Sequence, residues 1–196
     1  QDHMNMYEEF SILRDKDLDL DSLKKEVDYY KSENAFLKKL IEERDIFSTN
    51  YMLTKILLDK QSPYLKSIII NKGQKNGVKL GSAVKDRLYY IGKVVNVNFL
   101  SSRVLLASDL NSKIPIIIEP SGINAILSGY GNDQYAELEY LPKINEIKEN
   151  EIVYTSGSDG TIPASIPVGK IVFKEDKKYV KFFSNFNQLN YVQVNK

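Results

Sequence analysis

The sequence has no cysteine and no tryptophan, and its single histidine, His3, stands almost at its first residue. Missing thiols exclude disulfides, thiolate nucleophiles and most structural zinc sites, and lean toward an oxidising compartment such as the periplasm. With the histidine in the N-terminal tail, neither a Ser-His-Asp triad nor a His-containing metal site is expected inside the fold. Net charge is nearly absent: 27 Lys/Arg against 26 Asp/Glu leave +1, so bulk charge draws the chain neither to nucleic acid nor to an anionic membrane. The halves differ mildly, since residues 1–61 carry 10 basic and 14 acidic side chains, net −4, and the remainder 17 and 12, net +5. Long apolar runs are also missing. Ile116-Ile117-Ile118 is strand-sized, far short of the ~20 residues of a membrane span. The opening Gln1-Asp2-His3-Met4 reads as a cloning remnant, and an N-terminal anchor is expected to have preceded it.

Glycine and proline are absent from Ser11 to Lys60, where Leu, Lys, Glu and Asp dominate, and this predicts one long helix of about 75 Å. Leu20, Leu23, Val27, Tyr30, Leu37 and Ile41 recur at alternating spacings of three and four, the a and d positions of a coiled coil. Asn34 falls at an a position, where it pairs best with its own counterpart in a parallel dimer. A helix folded back on its own chain as a monomeric cover would show a wider apolar stripe. Past Arg44 the face broadens through Ile46, Phe47, Leu53, Ile56 and Leu57, a stretch expected to pack on the domain that follows.

At Ser62-Pro63 the pattern changes, so the expected domains are a helical dimerisation segment, 1–62, and an all-β binding region, 63–196. Ten short β-branched or aromatic runs follow, separated by turns such as Lys75-Asn76-Gly77, Ser121-Gly122 and Ser158-Asp159-Gly160. They argue for antiparallel barrels or a sandwich and exclude a parallel α/β sheet.

Chemistry-bearing constellations are lacking. Thr155-Ser156-Gly157-Ser158 does not match the G-x-S-x-G elbow and reads as a tight turn. Gly73–Lys79 has no G-K-[ST] end. The acidic run Asp15, Asp17, Asp19, Asp21 lacks a calcium loop's glycine and terminal glutamate. Glu137 and Glu139 share one solvent face of a strand, with Ala136, Leu138 and Tyr140 expected inward. No cofactor and no catalytic residue is expected.

The aromatics say more: 13 Tyr and 8 Phe, some on strands apolar on both faces. Around Tyr179, Val180 and Phe182 share one face while Tyr179 and Phe183 share the other, and Tyr89-Tyr90 poses the same question. The outward rings either bind a protein or pack between two β subdomains. Stacking of single-stranded nucleic acid is disfavoured, because the β region holds only Arg87 and Arg103.

Four stretches in order resemble the MreC family of bacterial rod-shape proteins: Ile70–Val84, Ile91–Val95, Ser101–Pro115, and Thr155-Ser156-Gly157 with Ile162-Pro163 and Ile166–Ile171. The sequence departs from the family's pattern at Ile162, often Phe, and at Ser165, often Gly. The resemblance implies a mainly β protein: a long coiled-coil helix followed by two small antiparallel β-barrel-like subdomains. It implies a periplasmic scaffold anchored in the inner membrane, forming homodimers and possible filaments. The implied partners are a penicillin-binding transpeptidase and other proteins of the cell-elongation machinery, and the implied role is organising peptidoglycan synthesis and cell shape. Tyr89, Tyr179, Phe182, Phe183 and Phe186 are the candidate contact residues. The rival readings are an extracytoplasmic hydrolase on a barrel fold and a single-strand nucleic-acid binder.

If the heptad sets the dimer, replacing Leu23 and Leu37 by charged residues gives monomers whose β region stays folded. Sedimentation that finds an unchanged dimer would show the seam to be wrong.

Overall fold

The computed structural model describes residues 20–37, 50–62, 65–142, 146–175 and 177–196. It contains one helix, α1 (20–37), and a β unit of two closed six-stranded barrels, described separately below.

Helix α1 covers the predicted seam from Leu20 to Leu37. Leu20, Leu23, Val27 and Tyr30 are all about half exposed on the single chain, Asn34 is exposed and Leu37 is partly covered. Ile41, Ile46 and Phe47 lie outside the described residues.

The helix predicted through Lys60 is corrected at its C-terminal end, because Tyr51–Ser62 is a strand, β1. The β region therefore begins by residue 51 rather than after Ser62. A bulge explains the misreading. Ile56 pairs with Ile70 while Leu58 pairs with Ile69, so one extra residue breaks the period of two and leaves spacings that mimic a helix. Pairing with strands on both sides outweighs the segment's helix propensity.

The first barrel runs β1, β12 (Tyr191–Asn195), β3 (Ala83–Asp86), β4 (Tyr89–Val97), β5 (Ser102–Leu106) and β2 (Leu65–Ile70), closing back on β1. The second holds β10 (Pro167–Lys174), β11 (Lys177–Phe182), β8 (Tyr135–Glu139), β7 (Ile123–Gly129), β6 (Lys113–Glu119) and β9 (Ile152–Thr155), which returns to β10. Every strand pair among the described residues is antiparallel, as expected from the turn-punctuated pattern. The second barrel is thus an insertion between β5 and β12 of the first.

Alternation fills each barrel. On β6, Ile114, Ile116 and Ile118 are fully buried while Lys113 and Glu119 face solvent. Ile68, Ile70, Ile91, Val104, Leu106, Val192 and Val194 do the same for the first barrel. Each such aliphatic side chain contributes roughly 1.5–3 kcal/mol by leaving water.

Ser165 stands in a left-handed conformation, φ +65°, in the turn where the family often has Gly. A Cβ there costs about 1 kcal/mol. Ser165→Gly is therefore expected to raise stability by about 0.5–1 kcal/mol, read as a higher denaturant midpoint at unchanged slope.

Candidate protein-binding surface

The inward and outward faces of β11 follow from its alternation. Val180 and Phe182 point into the barrel and are buried, while Tyr179 and the following Phe183 point outward and are half-buried. Tyr89 and Tyr90 divide likewise: Tyr90 is 1% exposed and Tyr89 lies partly open. Burial, with the Asp159 carboxylate contributing, pushes the Tyr90 phenol above its ordinary range, so it stays neutral.

Of the five candidate aromatics, Phe182 and Phe186 meet edge to face at 4.9 Å between ring centres and are 7% and 1% exposed. Their burial does not fit the expectation that they meet a partner, and they are core in this chain. Tyr89 and Phe183 do come together, 5.0 Å apart and tilted by 41°, one ring from each barrel. Tyr179 leans toward Tyr130 at 6.1 Å. The cross-strand register that places Tyr130 beside Tyr179 is not visible in local spacing.

A polar junction lies nearby, since Asp133 and Phe183 line the same groove. Lys66 Nζ pairs with Asp133 Oδ2 at 3.0 Å, both side chains mostly covered, and the Ser108 hydroxyl donates to Asp133 Oδ1 at 3.3 Å. The Lys66 backbone N–H donates to Asp109 Oδ2 at 2.6 Å, and Asp109 Oδ1 accepts the Asn111 N–H at 2.8 Å. These groups tie β2 to the 107–112 linker and to the turn before β8, which fixes one barrel against the other. Beside Phe183 opens a groove of about 450 Å³ lined by Gln134, Lys181, Phe183, Asn185 and Gln188.

The Thr155–Ile166 segment is a structural strap. The Thr155 hydroxyl donates to Pro163 O at 2.7 Å and accepts the Ile166 N–H at 3.0 Å. Asp159 accepts the N–H groups of Thr161 and Ile162, each at 3.0 Å. Partial burial works to raise the Asp159 pKa, but these donors hold it below the usual carboxylate range. Ile162 is buried under the strap. Ser156 Oγ shares a 2.7 Å hydrogen bond with Ser158 Oγ, so its spacing as a turn and its partner both describe a loop contact.

Glu137 faces solvent as expected, and Glu139 pairs with Lys113, whose hydrogen bond holds the carboxylate below its ordinary range. The expectation for Tyr140 is corrected: β8 ends at Glu139, Tyr140 takes φ +60°, and its ring is 82% exposed. No helix among the described residues is long and apolar enough to cross a membrane.

Residues 56–196 match the family model described as rod shape-determining protein MreC, barrel core. The cell shape-determining protein MreC of Cereibacter sphaeroides is 29% identical over 99% of this chain, which spans 65% of that relative's length. A solved MreC structure, 26% identical, superposes with a TM-score of 0.74 over 85% of this chain and 99% of its own. A solved complex between penicillin-binding protein PBP2 and MreC from Helicobacter pylori is similar at 15% identity and a TM-score of 0.52, covering 74% of this chain and 98% of that one. At that identity the likeness is one of fold.

Proposed function

Since the chain belongs to the MreC family of rod shape-determining proteins, we propose that it is a non-catalytic scaffold of the cell-elongation machinery. It acts outside the cytoplasm, dimerises through α1 and binds a penicillin-binding transpeptidase with its β region. The observation that carries this reading is the double barrel itself, together with the PBP2 complex formed by a protein of the same fold.

On the β region, the surface that best suits such a partner is the outward strip of Tyr89, Phe183 and Tyr179. Its rings are half-exposed and come from both barrels, whose junction is held by Lys66–Asp133. Aromatic side chains on a rigid support lose little conformational entropy when they bind, which is why they recur as hot spots. On the helix, the half-exposed stripe of Leu20, Leu23, Val27 and Tyr30 supports self-association, because burying it against a second copy removes apolar area that a lone chain leaves in water. The exposed Asn34 lies in the same seam and would set a parallel register.

The test is single substitution of Tyr89, Tyr179 and Phe183 to Ser, with binding to the purified transpeptidase and thermal unfolding measured together. At least one variant is expected to lose about thirtyfold in affinity, roughly 2 kcal/mol, while melting as the parent does. If all three fold normally and bind as the parent, the strip is not the interface and the strap around Ser158-Asp159-Gly160 becomes the next surface to test.

A further inference from the structure

The first barrel ends in a protruding turn that the transpeptidase reading does not use. Between β4 and β5, Asn98 N–H donates to Ser101 O at 2.8 Å, which puts Phe99 and Leu100 at the two central positions of a four-residue turn. Their side chains are 64% and 61% exposed. Among the described residues, nothing covers this apolar pair.

The segment that packs on this turn carries lysines. The segment Asn71–Lys79 folds against the turn, with Gln74 N–H donating to Asn98 O at 2.9 Å and Lys75 N–H to Phe99 O at 3.1 Å. Gly73 permits the approach, since a Cβ there would lie 2.2 Å from Asn98 O. Lys72 and Lys75, on either side of the Gly73–Gln74 contact, are thereby brought beside the turn, Lys79 is exposed further along the same segment, and no ion pair of the three occurs among the described residues. No Asp or Glu occurs in residues 71–85 or 95–103. Leu80, 69% exposed, follows directly on Lys79. The near-zero charge of the whole chain conceals this local arrangement.

The geometry points to this tip as a docking site for an anionic phospholipid surface, with Phe99 and Leu100 entering the headgroup–acyl boundary and the three lysines meeting lipid phosphates. A bilayer accepts two adjacent exposed apolar side chains without shape complementarity, whereas a protein partner would need a matching pocket. Exposed apolar side chains flanked by Lys suit interfacial binding to anionic lipid. The turn lies at the Ile70 end of β2: Ile70 pairs with Ser102, and Asn71 N–H donates to Lys55 O, within β1, at 3.1 Å. The inference does not depend on the transpeptidase reading.

The experiment is co-sedimentation of the full chain with vesicles of phosphatidylcholine alone and of phosphatidylcholine with phosphatidylglycerol, at low and high salt. The parent is expected to bind the anionic vesicles at least tenfold more tightly than the neutral ones, and less tightly as salt rises. Each Lys→Gln change at 72, 75 or 79 lowers the partition coefficient about fivefold, and Phe99→Ser with Leu100→Ser lowers it at least tenfold. Leu110→Ser with Phe173→Ser, at exposed positions elsewhere, leaves it unchanged. Thermal unfolding is measured on every variant. If the Phe99/Leu100 double variant melts early, the lysine variants decide. Equal binding to both vesicle types, or lysine variants that bind as the parent does, overturns the proposal. It is equally overturned if the parent ignores vesicles and the double variant loses capture of the transpeptidase, which would mark the tip as a protein interface.

Discussion

Strand β12 pairs with β1 on one side and β3 on the other, and without it the first barrel has two open edges. Val192 and Val194 reach that core only through this pairing. The partners are distant in sequence, Tyr51 opposite Asn195, and everything in β6–β11 lies between them. Closing the first barrel therefore requires that the second fold compactly enough to bring β12 back. Such non-local pairing is slow to form. Once made, it connects the barrels by two chain crossings, and the junction needs only a few polar contacts to set their relation.

Those contacts explain where the recurrent motifs of the sequence fall. Asp109, in the linker after β5, accepts N–H groups from Lys66 and Asn111, and Ser108 and Lys66 converge on Asp133. The strap of Thr155 to Ile166 brings Thr161 against Gly81 of the first barrel, where an added Cβ would lie 3.2 Å from the threonine Cβ. Of the stretches that resemble the family, the 107–112 linker and the Thr155–Ile166 strap thus lie where the two barrels meet. Tyr89 and Phe183 straddle the same boundary. A partner that reads this strip would read the relation between the barrels as well as their surfaces, which suits a scaffold whose task is to hold another protein in position.

The barrels were legible in the sequence where alternation is clean. Ile114, Ile116 and Ile118 announce an inward face, and the opposite faces of Tyr89-Tyr90 and of Val180/Phe182 against Tyr179/Phe183 divide as their spacing implies. Two strands were missed. The bulge at the middle of β1 disguises its period, and β3, four residues of Ala-Val-Lys-Asp, is too short to show one. In β3 the charged Lys85 is itself buried, with its ammonium 4.0 Å from the centre of the Tyr51 ring, so polarity there misleads about burial. Tyr140 defeated the reading because a positive φ ends the strand just before it. Phe186 sits in a short 3-10 turn outside any strand, and no periodicity could assign it to the core. The pairing of Tyr89 with Phe183, and of Tyr130 with Tyr179, depends on register between distant strands, which local pattern does not encode.

The central claim is that the junction strip of the double barrel receives the transpeptidase. Amide hydrogen exchange of the full chain, with and without the purified transpeptidase, tests it without any substitution. The account predicts slower exchange in the backbone flanking the strip, residues 86–90, 130–135 and 183–190, with little change on the β6 and β9 side of the second barrel. Protection confined to β6, β9 and the 156–163 strap, or no protection anywhere in the β region under conditions of full binding, would contradict it.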